Sequence, residues 1–281
     1  MKTMLVVLIA AAIPVASSAA PHASLGARIE TVSESLLGAP YRLGPLGEGP
    51  SGEFDAEPLS SLKEFDCTTF IEHVMALALE PDLRVALDVT LQNIRYRGGV
   101  ISYQARNHFT ELDWVPNNAA AGFLKDITFA IAPGQARVAT KTIAKRRWYR
   151  EKTLEDIQGF PDAFWTDRME RLARLRALGS RFEDEAAIIP YIPIEVLPGL
   201  LDRIPSGTIA NLVRADAPDK PTLVSHQFLL IRKGGLTYVR HASSSARRVE
   251  DVLASDYLVR VRGSSWRVLG VDLNALTDPA R

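Results

Sequence analysis

Cysteine is all but missing from this chain: Cys67 is the only one in 281 residues. An intramolecular disulfide is therefore excluded, and with it a small scaffold held together by cross-links. In an oxidising compartment Cys67 also meets no second thiol on its own chain. Charge of one sign is lacking too, because 33 basic side chains balance 33 acidic ones. No overall field draws the chain to nucleic acid or to an acidic membrane surface. Internal repeats and low-complexity tracts are absent. So are the H-E-x-x-H pair of zinc hydrolases and the G-x-S-x-G elbow of serine hydrolases.

What is present begins with an export signal. Lys2 gives a positive start, an apolar run follows from Met4 to Val15, and small residues from Ala16 to Ala20 offer a cleavage site. The run is short for a membrane span and Pro14 interrupts it. The expectation is a signal peptide over 1–20, cut near Ala19 or Ala20, and a periplasmic protein without stable membrane insertion. A retained N-terminal anchor is the alternative. The remaining chain, 21–281, is long enough at about 260 residues for a single catalytic domain with a substantial core. A monomer is expected, and no cofactor.

Residues 25–37 read as an amphipathic helix stopped at Gly38-Ala39-Pro40-Tyr41. A glycine- and proline-bearing loop, 44–58, leads to Glu64-Phe65-Asp66-Cys67-Thr68-Thr69-Phe70-Ile71, where a second helix begins. Cys67, Phe70, Ile71, Val74 and Met75 share one face of it, so the thiol lies at the open end of a buried stripe. Such a helix start, with unpaired N–H groups and the positive end of the dipole, lowers a thiol pKa and favours the nucleophilic thiolate. The plain alternative is a small buried hydrophobe. Residues 82–200 form a middle insertion with a charged helix over 161–178, and Lys145-Arg146-Arg147 reads as solvated surface. The last third turns to strands at 207–213, 223–232 and 236–241. Helices first and strands later point to an α+β domain.

A cysteine nucleophile needs a base within hydrogen-bond reach, and the base needs a partner to orient it. Five histidines are available: His22, His73, His108, His226 and His241. His22 abuts the cleavage region. His73 lies six positions after Cys67, about 240° round the axis, and points away from the thiol. A two-residue Gly234-Gly235 turn would pair Lys233 with Leu236 and Phe228 with His241. His226 and His241 then share a face as diagonal neighbours, roughly 7–8 Å apart at their α-carbons. A three-residue turn would put them on opposite faces.

Gly38-Ala39-Pro40-Tyr41, Phe65-Asp66-Cys67-Thr68-Thr69-Phe70-Ile71-Glu72, Ser225-His226 and His241-Ala242-Ser243 together resemble the signature of NlpC-type papain-like cysteine hydrolases of bacterial peptidoglycan. The middle segment is similar to an N-acetylmuramoyl-L-alanine amidase-like subfamily, through Ile94-Arg95-Tyr96, Gly99, Tyr103, Arg106-Asn107-His108-Phe109, Asp113-Trp114 and Asn117-Asn118. The resemblance runs in order from about residue 36 to 245 and covers most of the chain. It implies a papain-like core in which the cysteine helix packs on an antiparallel sheet. It also implies Cys67 as nucleophile, His226 as base and His241 as the residue that orients the base. The substrate would be peptidoglycan or a muropeptide, cut between N-acetylmuramic acid and L-alanine. Gln227 and Phe228 depart from the small residue and glycine that follow the base histidine in the subfamily.

The resemblance gives the middle segment a share in the sugar and first-residue pocket, through Arg95, Tyr96, Arg106, His108, Asp113 and Trp114. Tyr96 or Trp114 would stack on a pyranose face. The alternative for these residues is a structural network holding the insertion over the core. Tyr41 would assist the chemistry or cap a pocket. Competing functions are a stem-peptide endopeptidase, a metal hydrolase using His108, His226 and His241, a serine hydrolase through Ser243-Ser244-Ser245, and a non-catalytic cell-wall binding module.

Overall fold

The computed structural model describes residues 23–279; the expected signal peptide over 1–20 and His22 lie outside the described residues. Helix α1 (Leu25–Ser35) starts where the Ser24 hydroxyl accepts from the Ala27 N–H, and the chain leaves it through Gly38 at φ 84°. Helix α2 (Cys67–Leu79) follows the loop and buries Phe70, Ile71 and Val74 completely. Each such side chain contributes about 1.5–3 kcal/mol when removed from water.

Eight strands form one sheet: β1 (Leu124–Asp126), β2 (Arg137–Ile143), β3 (Glu185–Pro193), β4 (Thr208–Arg214), β5 (Val224–Lys233), β6 (Leu236–Ser243), β7 (Arg248–Leu253) and β8 (Val268–Leu276). Their order is β2-β3-β8-β4-β5-β6-β7, with β1 also on β8, and every pairing is antiparallel. The middle segment is therefore no separate layer: β1 and β3 both hydrogen-bond to β8. At the β3–β8 contact a Cβ on Gly270 would collide with the Ile192 carbonyl, so only glycine allows the two chains to close up.

Both sheet faces are covered. Ile209, Leu229 and Ile231 pack against α2 through Phe70, Ile71 and Met75. Ala210, Leu212, Phe228, Leu230 and Val239 pack on the other side, against Tyr257, Leu258 and Val261 of the helix Ala254–Arg262. This alternation is the period-two pattern of a strand buried on both sides. No helix among the described residues is long and apolar enough to cross a membrane.

Candidate active site

Asp66 caps α2. Its Oδ1 accepts from the Thr69 N–H at 2.8 Å, the Thr69 hydroxyl accepts from the Asp66 N–H at 2.9 Å, and Oδ2 accepts from the Gly44 N–H at 3.0 Å. This capping box satisfies orphan donors and ties the preceding loop to the helix start. Cys67 is the first residue inside it and is partly buried.

The β5–β6 hairpin turns at Gly234 and Gly235, both at positive φ (56° and 79°), the backbone that a type I′ turn demands. Lys233 pairs with Leu236, and the ladder runs back to Leu229 opposite Arg240. There it stops, although β5 extends to Val224 and β6 to Ser243. The Phe228–His241 rung expected from the turn is absent from the ladder. In its place the Gln227 N–H hydrogen-bonds the Cys67 sulfur. The thiol thus lies against the β5 main chain at Gln227, one residue from His226, where the two strands part. A bulge helps to aim that histidine. Leu212 pairs with His226 and Val213 with Val224, which leaves Ser225 as the extra residue directly before His226.

His226 Nε2 lies 2.7 Å from His241 Nδ1, with the rings edge to face. Tyr257 packs against the His241 ring and Phe228. The outer nitrogen of His241, Nε2, is buried without a hydrogen-bond partner, and Glu250 Oε1 is 3.9 Å from it. Burial, seconded by His241, pushes His226 down to about 3. Burial takes His241 down to about 4 against the pull of Glu250. The thiol corrects a sequence expectation. Burial first, and the Asp66 carboxylate next, push Cys67 up to about 11, overriding the helix start and the Gln227 N–H. The resting site is a neutral thiol beside two neutral imidazoles.

Tyr41 adjoins this site. Its phenol is pushed up to about 12 by burial and then by the charges of Cys67 and Asp66, and the Arg247 guanidinium lies 5.8 Å from its ring centre. His73 is elsewhere: fully buried, with Nδ1 on the Thr69 carbonyl at 2.7 Å and its ring against Phe65.

The middle-segment residues divide. Arg95, Tyr96 and Trp114 are interior, with relative exposures of 4%, 0% and 0%. Arg95 Nε pairs with Glu72 Oε2 at 3.2 Å, and Trp114 Nε1 donates to Glu72 Oε1 at 3.1 Å. The Tyr96 hydroxyl donates to the Gly47 carbonyl at 2.8 Å. Neither aromatic ring offers a face to a sugar, which corrects the stacking expectation; these three form the structural network. Arg106 joins that network by pairing with Glu48 and Asp55. A small cavity is lined by Arg106, His108, Asp113 and Lys145. His108 Nε2 lies 2.7 Å from the Tyr103 carbonyl, and burial holds its imidazole well below the ordinary range. Asp113 accepts from Lys145 at 3.1 Å and is raised by burial. Lys145, read from sequence as surface, is buried between Asp113 and Glu185. Among the described residues, no three His, Cys, Asp or Glu side chains gather in a way that could hold a metal.

Sequence reasoning passed over Glu48 and Asp55 and read Lys145 as surface; the partners of all three are far along the chain. It also passed over Glu250, for which a signal existed. A turn at Ser244–Arg247 after β6 sets Glu250 opposite His241, as the β6–β7 register has it.

The departure after His226 has a local explanation. Gln227 points to the opposite face, where its Nε2 donates to Asn211 Oδ1 at 2.9 Å, and Asn211 donates to Asp272 at 2.7 Å. Phe228 fills the core beneath His226 and Tyr257.

With this geometry in place, the chain can be set beside known proteins. The model of the AmiA-like family, described as N-acetylmuramoyl-L-alanine amidase-like, matches residues 31–264. The chain belongs to this family. The crystal structure of a Legionella pneumophila protein, 32% identical, superposes with a TM-score of 0.86 over 91% of this chain and 90% of that one. A crystal structure of an N-acetylmuramoyl-L-alanine amidase from Bacteroides uniformis, 23% identical, gives 0.67 over 90% and 99%, a likeness of fold. No curated protein matches the chain.

Proposed function

We propose that the chain is a cysteine-dependent amidase of the bacterial cell wall, acting on the bond between N-acetylmuramic acid and L-alanine in peptidoglycan or its fragments. One observation carries the cysteine reading. The Cys67 sulfur sits on the Gln227 N–H, one residue from His226, which is itself bonded to His241. Family membership supports the amidase reading. So does the fold shared with the Bacteroides uniformis amidase. A helix whose first residue enters an opening in an antiparallel sheet is also how we read the papain-like, NlpC-type core.

In this scheme His226 takes the thiol proton as sulfur bonds to the lactyl carbonyl carbon. The Cys67 N–H at the start of α2 donates to the oxygen that becomes negative. His226 returns the proton to the departing alanine nitrogen, leaving a thioester. It then takes a proton from water, whose oxygen displaces the sulfur, and passes that proton back to the released thiolate. His241 holds the His226 tautomer and steadies its imidazolium. Because thiol and imidazoles rest neutral, proton transfer accompanies attack instead of preceding it. Tyr41, beside the thiol, is the first pocket residue in this proposal, and the cavity bordered by Arg106, His108 and Asp113 is its middle-segment share. The chain works as one exported domain after removal of residues 1–20.

Defined muropeptides are incubated with the wild type and with Cys67→Ala, and the products weighed by mass spectrometry. Free stem peptide beginning with L-alanine, formed only by the wild type, is the expected result. A split stem would make the chain an endopeptidase, and turnover by Cys67→Ala would end the cysteine scheme. Binding of muropeptides without any product would indicate a non-catalytic module.

A further inference from the structure

Within the histidine pair just proposed as base and orienter, we infer that Glu250 is a positioning residue that selects the tautomer of both rings. The inference rests on that reading for its chemistry, but its geometry is independent. Strands β5, β6 and β7 bring His226, His241 and Glu250 into one row, with Glu250 directly across from His241 in the β6–β7 register. Cross-strand partners of this kind share a face and bring their side chains together.

The bond between His226 Nε2 and His241 Nδ1 needs one donor and one acceptor. Two arrangements satisfy it. If His241 carries its proton on Nδ1, it donates to His226 Nε2. Neutral His226 must then be protonated on Nδ1, and that nitrogen is useless as a base. If His241 carries its proton on Nε2, its Nδ1 accepts from His226 Nε2–H, and His226 Nδ1 is free to accept the thiol proton. An acceptor beside His241 Nε2, most effectively a negative one, favours the second arrangement. Glu250 Oε1, at 3.9 Å from an otherwise unpartnered buried nitrogen, is that acceptor. A small rotation of its side chain closes the gap to a hydrogen bond, most favourably when the pair becomes cationic.

The surroundings fit this role. Arg248 Nε lies 4.0 Å from Glu250 Oε2. From the helix Ala254–Arg262, Arg260 acts on His241 with the sign opposite to Glu250. Asp251 assists Glu250 in sign, but its carboxylate is bound to Arg240 and Lys233. Tyr257 covers the His241 ring, His226 meets it from β5, and Cys67 on α2 acts on Tyr257. Glu250 is thus the carboxylate nearest the relay that is not already consumed by a buried cation.

The experiment compares wild type, Glu250→Gln and Glu250→Asp. Proton–nitrogen correlation spectra of ¹⁵N-histidine-labelled protein read which ring nitrogen carries each proton, with no substrate present. Wild type should show His226 and His241 both protonated on Nε2. Glu250→Gln should populate the Nδ1–H form of His241 and lower kcat on muropeptide by about 10- to 100-fold with little change in KM, below the 10²–10⁴ a base itself supplies. Glu250→Asp, which keeps the charge, should restore the Nε2–H tautomers. Unchanged tautomers and kcat in Glu250→Gln would overturn the inference. Absence of any muropeptide turnover by wild type, with the tautomers still switching in Glu250→Gln, would overturn the function and leave the inference standing.

Discussion

Two polar regions are buried in this molecule, and they are finished differently. Around Glu72 the two carboxylate oxygens, the Arg95 guanidinium and the Trp114 N–H are all engaged, with Arg95 also donating to the Leu59 and Leu46 carbonyls. Around Cys67 the groups are left short: His241 Nε2 has no partner, and the thiol is supported by the main chain of strands that have stopped pairing. A saturated network resists change, because losing one member strands a buried charge. An under-satisfied one can move a proton, since several states lie close in energy. Burial has opposite consequences as well. It raises the Glu72 carboxyl to about 7 beside its arginine, and it lowers the site histidines while raising the thiol.

The contrast is broken most severely at its reactive end. Cys67→Ala should reduce amide turnover roughly 10⁴-fold or more, as loss of a covalent nucleophile does. Its urea-unfolding midpoint should stay near that of the wild type; a large fall in that midpoint would place the thiol among the structural groups instead. Arg95→Met is the mirror experiment. Leaving Glu72 unpaired should cost about 3–5 kcal/mol of unfolding free energy while kcat per folded molecule is kept. A selective loss of kcat with unchanged stability would return Arg95 to the substrate pocket. Trp114→Phe removes one donor from Glu72 and should cost about 1–3 kcal/mol, again in stability and not in KM; a raised KM with stability intact would restore its role as a sugar platform.

The same contrast governs the pH dependence. Folded His226 and His241 sit near 3 and 4, whereas unfolded histidine titrates near 6.5. The unfolded chain therefore binds more protons in that interval. The histidine contribution to stability is complete above about 6.5 and is lost as pH falls towards 4. Turnover at a base that stays neutral should hold from pH 8 down to about 5. An acid limb of kcat/KM centred at 6.5 would show an exposed, ordinary histidine and refute the neutral resting site.

The parts of this architecture that sequence made legible are the ones governed by local rules. Apolar spacing placed α1 and α2, and turn parity put His226 and His241 on one face. Strands β1, β2, β3 and β8 escaped notice, because their pairing is non-local and β2, at the sheet edge, carries mixed polarity; β7, a local partner of β6, escaped as well. The polar motifs of the middle segment were visible, but their partners Glu48 and Asp55 lie in an irregular loop with no periodicity to announce them. The thiol was read with the wrong electrostatic sign. A helix start was foreseen, whereas the depth of burial was not, and the same Asp66 that caps the helix opposes thiolate formation.

The opening between β5 and β6 also bears on the order in which the protein is made. Cys67 and the two histidines are separated by more than half the chain, and they meet only where a late hairpin has closed and an early helix has docked into it. Contacts of such long sequence separation carry a large loop-closure cost and form late in folding. In the proposed scheme, a chain that is still emerging, truncated before β5 or incompletely packed carries a thiol with no base beside it. Its hydrolytic power arrives together with its tertiary structure.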